Sequence, residues 1–493
     1  MMAMLRMLWF MADTCYGWKK ESHRAPRPRR RQGLSRRDAL SVQNRGLKGG
    51  LVPARRGREA ARFWRGICFN GRTMKHGCFR IGFALLLGSV GLRGAETPLP
   101  MTTPAAAGMA AAQLDGLHAR LAEEVAGGRY SGFVTLVARD GKIVDWRAHG
   151  WADVEAKRPM TKDAIVRIYS MTKIVTTVAA LMLVEEGKLK LTDPVELYLP
   201  ALKNRQVYVS GPAEAPVLEP AQRPMTVVEL LTHTAGYYYD EPWSAEPVPS
   251  ALMTKAKLWE AADLDDFVRR LAAVPLHQQP GTKFRYGIHT DLVGAVVEKV
   301  SGQRIEAFFQ QRIFGPLGMK DTAFHVPAEK RGRMATLYAY ADGKAKVARP
   351  LVEEAAPAQG LKSAGGGLHS TAADYVRFAQ ALLNGGEFDG VRLLGRKTVE
   401  LMVQNRLVGL ADPHPFASKE LGFGLGVRMI TNLGASRHLG SPGMFGWDGA
   451  ATTLVWMDPK ERLVSILLTQ HFPYNEGDIF ATFMNGVYSA VGK

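Results

Sequence analysis

One apolar stretch constrains this chain more than any other: IVTTVAALMLVEEGKL, beginning at Ile174. Its hydrophobic residues recur at three- and four-residue spacing, which predicts a helix with one buried face. Immediately before it stands Ser170-Met171-Thr172-Lys173, so the helix carries Ser170 in its first turn. Lys173 falls three residues on, on the same side, and the hydroxyl and amine come within hydrogen-bond reach. A serine hydroxyl attacks poorly until its proton is taken, and a lysine can take it if burial and cationic neighbours lower its pKa. The helix N-terminus adds backbone N–H groups near a developing oxyanion. A helix cap beside an unrelated lysine has the same spelling. This is, however, the only Ser-x-x-Lys in the chain.

The formal charge of +18 over 493 residues suggests a nucleic-acid partner until it is divided along the chain. Residues 1–95 hold 21 Lys+Arg against 4 Asp+Glu, leaving 43 against 42 for the remainder. The body is near neutral and has no basic footprint for nucleic acid. Cys15, Cys68 and Cys78 all lie in the leader, so the body holds neither a disulfide, nor a thiolate metal site, nor a thiol nucleophile. Residues 1–73 are rich in Arg, Gly and Pro without apolar period, and are read as a disordered basic leader. Ser35-Arg36-Arg37 resembles a twin-arginine signal, but no apolar run follows it. From Met74 a short cationic region, the run IGFALLLGSVGL and a small polar stretch form a secretory signal over 74–95. This implies a periplasmic or secreted protein, translation starting at Met74, and no stable membrane insertion after cleavage. A basic arm with a binding role is the alternative for residues 1–73.

Within the body, AAAGMAAAQLDGLHARLAEEVAGG predicts an amphipathic helix ended by Gly127-Gly128. The segment from Ser131 to Asp153 alternates about Asp140-Gly141 and predicts a hairpin. Residues 204–222 read as a Pro- and Gly-bearing loop, and 226–240 as a helix stopping at Gly236 with His233 in its last turn. Tyr237, Tyr238 and Tyr239 then open an irregular stretch of the kind that walls a pocket. Tyr286 follows a turn at Pro280-Gly281 and precedes a helix; a phenol beside an ammonium has its ionisation eased and can shuttle a proton. His289 and Asp291 read as capping or orienting that helix. Ser363-Ala364-Gly365-Gly366-Gly367 reads as a tight turn, with Thr371 and Asp374 in a capping-box pattern. LGFGLGVRMI, AATTLVWMD and RLVSILLTQ predict strands, and 477–490 a closing helix.

Taken in order, these residues resemble the serine β-lactamase and penicillin-binding-protein superfamily. The likeness runs over 105–490: SMTK, LLTHTAG, the Pro-Gly-x-x-Phe-x-Tyr stretch ending at Tyr286, IFGPLGMKDTAF and SAGGGLHSTAADYVRFAQALLNGG, the last two similar to its class C-like branch. The resemblance implies an α+β fold (an α/β sandwich) with an antiparallel sheet flanked by helices. The α/β part would span about 96–205 and 325–493, with an all-helical lobe inserted at about 206–324. It further implies Ser170 as acylated nucleophile, Lys173 as its activating amine, Tyr286 as partner base, and an oxyanion hole from the N–H groups of Ser170 and Ala450. It implies no cofactor and no metal.

Two departures from that pattern bear on substrate. Penicillin-recognising members have Tyr-x-Asn where Tyr286-Gly287-Ile288 stands, and Lys-Thr-Gly where Trp447-Asp448-Gly449 stands. Trp447 removes the attraction for a substrate carboxylate, Asp448 adds repulsion, and an aromatic wall suits a neutral acyl or alkoxy group. Family VIII carboxylesterases resemble the chain in both respects. Substrate-binding residues are then Trp447, Asp448, Gly449 and, from the aromatic trio, Tyr237. The resulting expectation is an exported serine hydrolase acting on small ester substrates. A β-lactamase or D-amino-acid amidase or D,D-peptidase on the same scaffold, and a non-catalytic cell-envelope sensor, stay open. Oligomeric state is not set by these residues.

Overall fold

The computed structural model describes residues 98–240, 247–341, 344–347, 360–410 and 421–492; the leader and signal read at 1–73 and 74–95 lie outside them. In chain order, α1 is Ala111–Ala126, β1 Gly132–Arg139, β2 Lys142–Asp153, β3 Arg158–Pro159 and α2 Thr172–Glu185. The middle of the chain gives β4 Gln206–Ser210, β5 Val217–Pro220, α3 Val227–Leu231, α4 Leu264–Leu271, α5 His289–Ser301 and α6 Ile305–Phe309. Then come α7 Ala372–Leu383, β6 Leu421–Phe423, β7 Arg428–Ile430, β8 Phe445–Gly449, β9 Thr453–Asp458, β10 Leu463–Leu468 and α8 Ile479–Ser489.

An eight-stranded antiparallel sheet in the order β6-β7-β8-β9-β10-β1-β2-β3 forms the centre. Period-2 alternation sends residues to two cores. Phe133, Val137, Leu454, Trp456, Leu463 and Leu467 meet Leu114, Leu117, Phe483 and Val487 of the terminal helices α1 and α8. Val134, Leu136, Val455, Ile466 and Leu468 face the other way, into the core shared with α2, α5 and α7. With both faces covered, β1 is buried from Gly132 to Ala138 rather than half-solvated as its alternation suggests. The fold is the α+β sandwich that the resemblance implied.

Three local expectations are corrected. Helix α2 is buried all round from Thr172 to Leu183, because sheet-side and helical-lobe residues sandwich it; a period marks an apolar stripe but does not count a helix's neighbours. Residues 206–220 form the hairpin β4–β5, so the lobe is not wholly helical. Helix α3 ends at Leu231 rather than Gly236, and His233 takes a left-handed φ of 55°. Among the described residues no helix is long and apolar enough to cross a membrane.

The start of α7 generates a prediction. Thr371 caps it by accepting from Asp374 N at 3.1 Å. The Asp374 carboxylate does not reach back to complete a capping box but accepts from Asp321 N (2.6 Å) and Thr322 Oγ1 (2.8 Å). Burial raises its pKa from 3.8 to about 6. A raised folded-state value means that the native chain holds the extra proton, so this group's stabilisation is complete below the unfolded value and lost as pH rises through the folded one. The loss is about 3 kcal/mol by linkage. Asp374→Asn, whose amide oxygen can accept the same bonds, is expected to gain stability relative to the wild type as pH rises from about 4 to 7 in urea unfolding. A pH-independent difference between the two would contradict this.

Candidate active site

Ser170 sits in a 3-10 turn, Tyr169–Met171, that runs into α2, one step ahead of the first helical turn expected for it. Its side chain is partly exposed while Lys173 is 1% exposed. The Lys173 amine makes three contacts: Ser170 Oγ at 3.2 Å, Tyr239 OH at 3.0 Å and the Gly365 carbonyl at 2.6 Å. Burial is the first cause of its lowered pKa, from 10.5 to about 8, against the opposing pull of Asp291 and Asp448. A neutral amine has two N–H groups and one lone pair. The Gly365 carbonyl can only accept, so it fixes one N–H, and the lone pair is left to face a hydroxyl proton. This gives Lys173 the geometry of a base toward Ser170.

The tight turn at 363–367 is therefore part of the site. Gly365 presents its carbonyl to Lys173 and its N–H to Asp291 Oδ1 at 3.1 Å. A Cβ there would stand 2.5 Å from Asp291 Oδ2 and 3.4 Å from Lys173 Nζ, so no side chain fits. Asp291, expected to cap or orient α5, instead binds the turn, also accepting from Ser363 Oγ at 2.7 Å. It is fully buried, and desolvation raises its pKa against the pull of Lys173, Ser363 and Gly365.

Tyr286 lies with its ring centroid 4.9 Å from Lys173 Nζ, but the hydroxyl on the amine is that of Tyr239. Tyr239 is hydrogen-bonded in turn to Tyr286, and burial, then the Tyr286 and Asp291 charges, hold its pKa well above the ordinary phenol value. Gly287 explains the juxtaposition: a Cβ there would be 2.7 Å from Tyr238 Cα, so only glycine lets the 237–239 segment lie across it. Behind Tyr286, His233 packs its ring at 4.7 Å and meets His289 Nδ1 at 3.0 Å. Because Tyr237 N donates to His289 Nε2, at 3.2 Å, His289 carries its proton on Nδ1 and donates to His233. Burial lowers the His289 pKa to about 3, which keeps it neutral.

The opposite wall is strand β8. Trp447 is 1% exposed, and its Nε1 donates to Tyr286 OH at 3.1 Å. Gly449 ends the strand against residue 168, where a Cβ would be 2.4 Å from Ile168 O. That closeness brings Ala450 beside the Ser170 turn, with Tyr169 packed against Ala450 and Ala451. Two expectations are corrected here. Asp448 is buried and paired with Arg428, at 2.6 Å, so it is not the expected unpaired charge facing a substrate. Tyr237 is fully buried beside the Arg205 guanidinium and presents nothing to a substrate; Tyr239, two residues on, lines the site. Three consecutive tyrosines give no local signal for which one faces inward. Among the described residues no group of three or more His, Cys, Asp or Glu could hold a metal ion.

Known proteins resemble this arrangement. The Beta-lactamase family matches residues 117–483. Protein Rv1367c of Mycobacterium tuberculosis (strain ATCC 25618 / H37Rv) is 35% identical over 367 residues, 73% of this chain and 90% of that protein. Esterase EstB of Burkholderia gladioli is 35% identical over 295 residues, 55% of this chain and 70% of that protein. Among solved structures, EstCE1, described as a hydrolase with promiscuous acyltransferase activity, superposes with a TM-score of 0.65 at 27% identity, over 77% of this chain and 98% of that one. The family match spans most of the chain, and esterases stand among its relatives: the chain belongs to the beta-lactamase family and is a serine hydrolase of that superfamily.

Proposed function

We propose that this serine hydrolase is exported and cleaves carboxylic esters through an acyl-enzyme on Ser170. The observation that carries the substrate class is the wall opposite the nucleophile. Trp447 occupies the place of a carboxylate-binding lysine, and the nearby cation, Arg428, is committed to Asp448. No lysine stands at that position for a substrate carboxylate and the neighbouring guanidinium is already paired, which favours a neutral acyl or alkoxy group. The name of Esterase EstB agrees with that choice.

The steps follow from the contacts. Ser170 Oγ attacks the ester carbonyl as its proton passes to the neutral Lys173 amine, 3.2 Å away. The N–H groups of Ser170 and Ala450 receive the oxyanion, each such donor supplying about 3 kcal/mol of transition-state stabilisation. The proton held by Lys173 then moves along Tyr239 and Tyr286 to the departing alkoxide, which leaves as the alcohol. Water attacks the acyl-enzyme with the proton path reversed, and the carboxylic acid departs.

A panel of p-nitrophenyl esters of increasing acyl length, assayed beside nitrocefin, tests the substrate class. Short-chain esters are expected to turn over well above nitrocefin, and Ser170→Ala to lower kcat by at least about 1,000-fold with the fold retained. Nitrocefin hydrolysed as fast as the esters would overturn the reading. Export rests on the signal pattern beginning at Met74. The protein is expected in the periplasm or medium, with a mature N-terminus close to Ala95 on mass spectrometry. A peptide from residues 1–73 in the exported protein would contradict it.

A further inference from the structure

Resting on the reading of Ser170 as nucleophile, we propose that Trp447 is a positioning residue for the proton relay. Its indole N–H, held by the buried Arg428–Asp448 pair, fixes the Tyr286 oxygen and favours negative charge on it. The residue that stands where a carboxylate-binding lysine would be thus acts on the enzyme's own phenol as well as on the substrate's surroundings.

The geometry is continuous. Trp447 Nε1 donates to Tyr286 OH at 3.1 Å, with ring centroids 5.2 Å apart and tilted by 44°. The Arg428 guanidinium lies between two indoles, 5.1 Å from the Trp447 centroid and 5.0 Å from that of Trp456. It is anchored by Asp448 Oδ2 at 2.6 Å and also engages Tyr474. Arg428 is 8% exposed, Asp448 7% and Trp447 1%, so the assembly is rigid and dry. A guanidinium over an indole is attracted by the ring and stiffens its orientation.

The consequence lies at the Tyr286 oxygen. Tyr239 and Trp447 both reach it. Hydrogen bonds donated into that oxygen stabilise the phenolate that forms as Tyr286 passes its proton to the leaving group. The charged or titratable groups around Tyr286 are Lys173 on α2, Tyr239 on the facing loop, His233 after α3 and, behind Trp447, Arg428 and Asp448 on β7 and β8. Among these neighbours Trp447 is the non-titrating one, and it can be altered without adding or removing a charge.

The test replaces Trp447 by Phe, and separately by β-(3-benzothienyl)alanine, which keeps the bicyclic shape but has sulfur in place of N–H. Two rates are followed across pH: kcat for p-nitrophenyl butyrate, and phosphonylation of Ser170 by a fluorophosphonate probe. With the benzothienyl residue, both rates are expected to fall by about 10- to 100-fold, the cost of a lost hydrogen bond to a charged acceptor. The alkaline limb of the profile, set by ionisation of the proton-donating phenol, should move up by about one pH unit, while KM stays within about threefold. Arg428→Lys, which keeps the charge but not the fork, should move the limb in the same direction by less. An unmoved limb with the loss confined to KM would overturn the proposal and leave Trp447 as a pocket wall. If the wild type cleaves no ester yet labels at Ser170, the ester reading fails, and the phosphonylation profile still decides this inference.

Discussion

The site depends on one buried amine. Lys173 has lost almost all contact with solvent, and the desolvation of its ammonium form lowers its pKa to about 8, where a lysine can act as a base. Its surroundings restrain that loss so that the group is not merely a buried, unpaired cation. The Gly365 carbonyl fixes its direction, and Asp291 and Asp448 supply negative potential. Ser170 and Tyr239 occupy its remaining contacts and give the proton a place to come from and a place to go.

The rest of the fold can be understood as what makes that burial possible. Helix α2 cannot be covered by the sheet alone, so helices from the middle of the chain close over it, and α5 delivers Asp291 to the turn at 363–365. The sheet carries β8 to the mouth of α2, with Gly449 tight against residue 168 so that Ala450 adjoins the nucleophile. Two glycines with no room for a side chain, Gly287 and Gly365, set the distances between the helical lobe and the amine. The same dryness that perturbs Lys173 also holds His289 neutral and Tyr239 protonated, which makes the relay directional rather than a set of exchangeable charges.

Much of this was legible before any coordinates. Ser170 and Lys173 meet because helical spacing is local, and the hairpin about Asp140-Gly141 forms because its turn chemistry is local too. The misread features are those decided by distant partners. Asp448 looked like a free negative charge because Arg428, its counter-ion, stands in a different strand. Tyr237 and Tyr239 are indistinguishable in sequence, and the Gly287 contact with Tyr238 decides which of them faces the amine. Asp291 has the look of a helix-orienting residue until the 363–367 turn arrives from more than seventy residues away. The hairpin at 206–220 was hidden by the Pro and Gly that mark its turn.

The central claim concerns a single titration. Selective carbon-13 labelling of lysine side chains, followed by NMR across pH, reads the Lys173 Cε resonance directly, with Lys173→Met identifying the signal. The account predicts a midpoint near 8, well apart from the surface lysines. A midpoint for Lys173 among the surface lysines, above about 10, would mean that burial does not neutralise the amine, and would remove the base on which the mechanism rests.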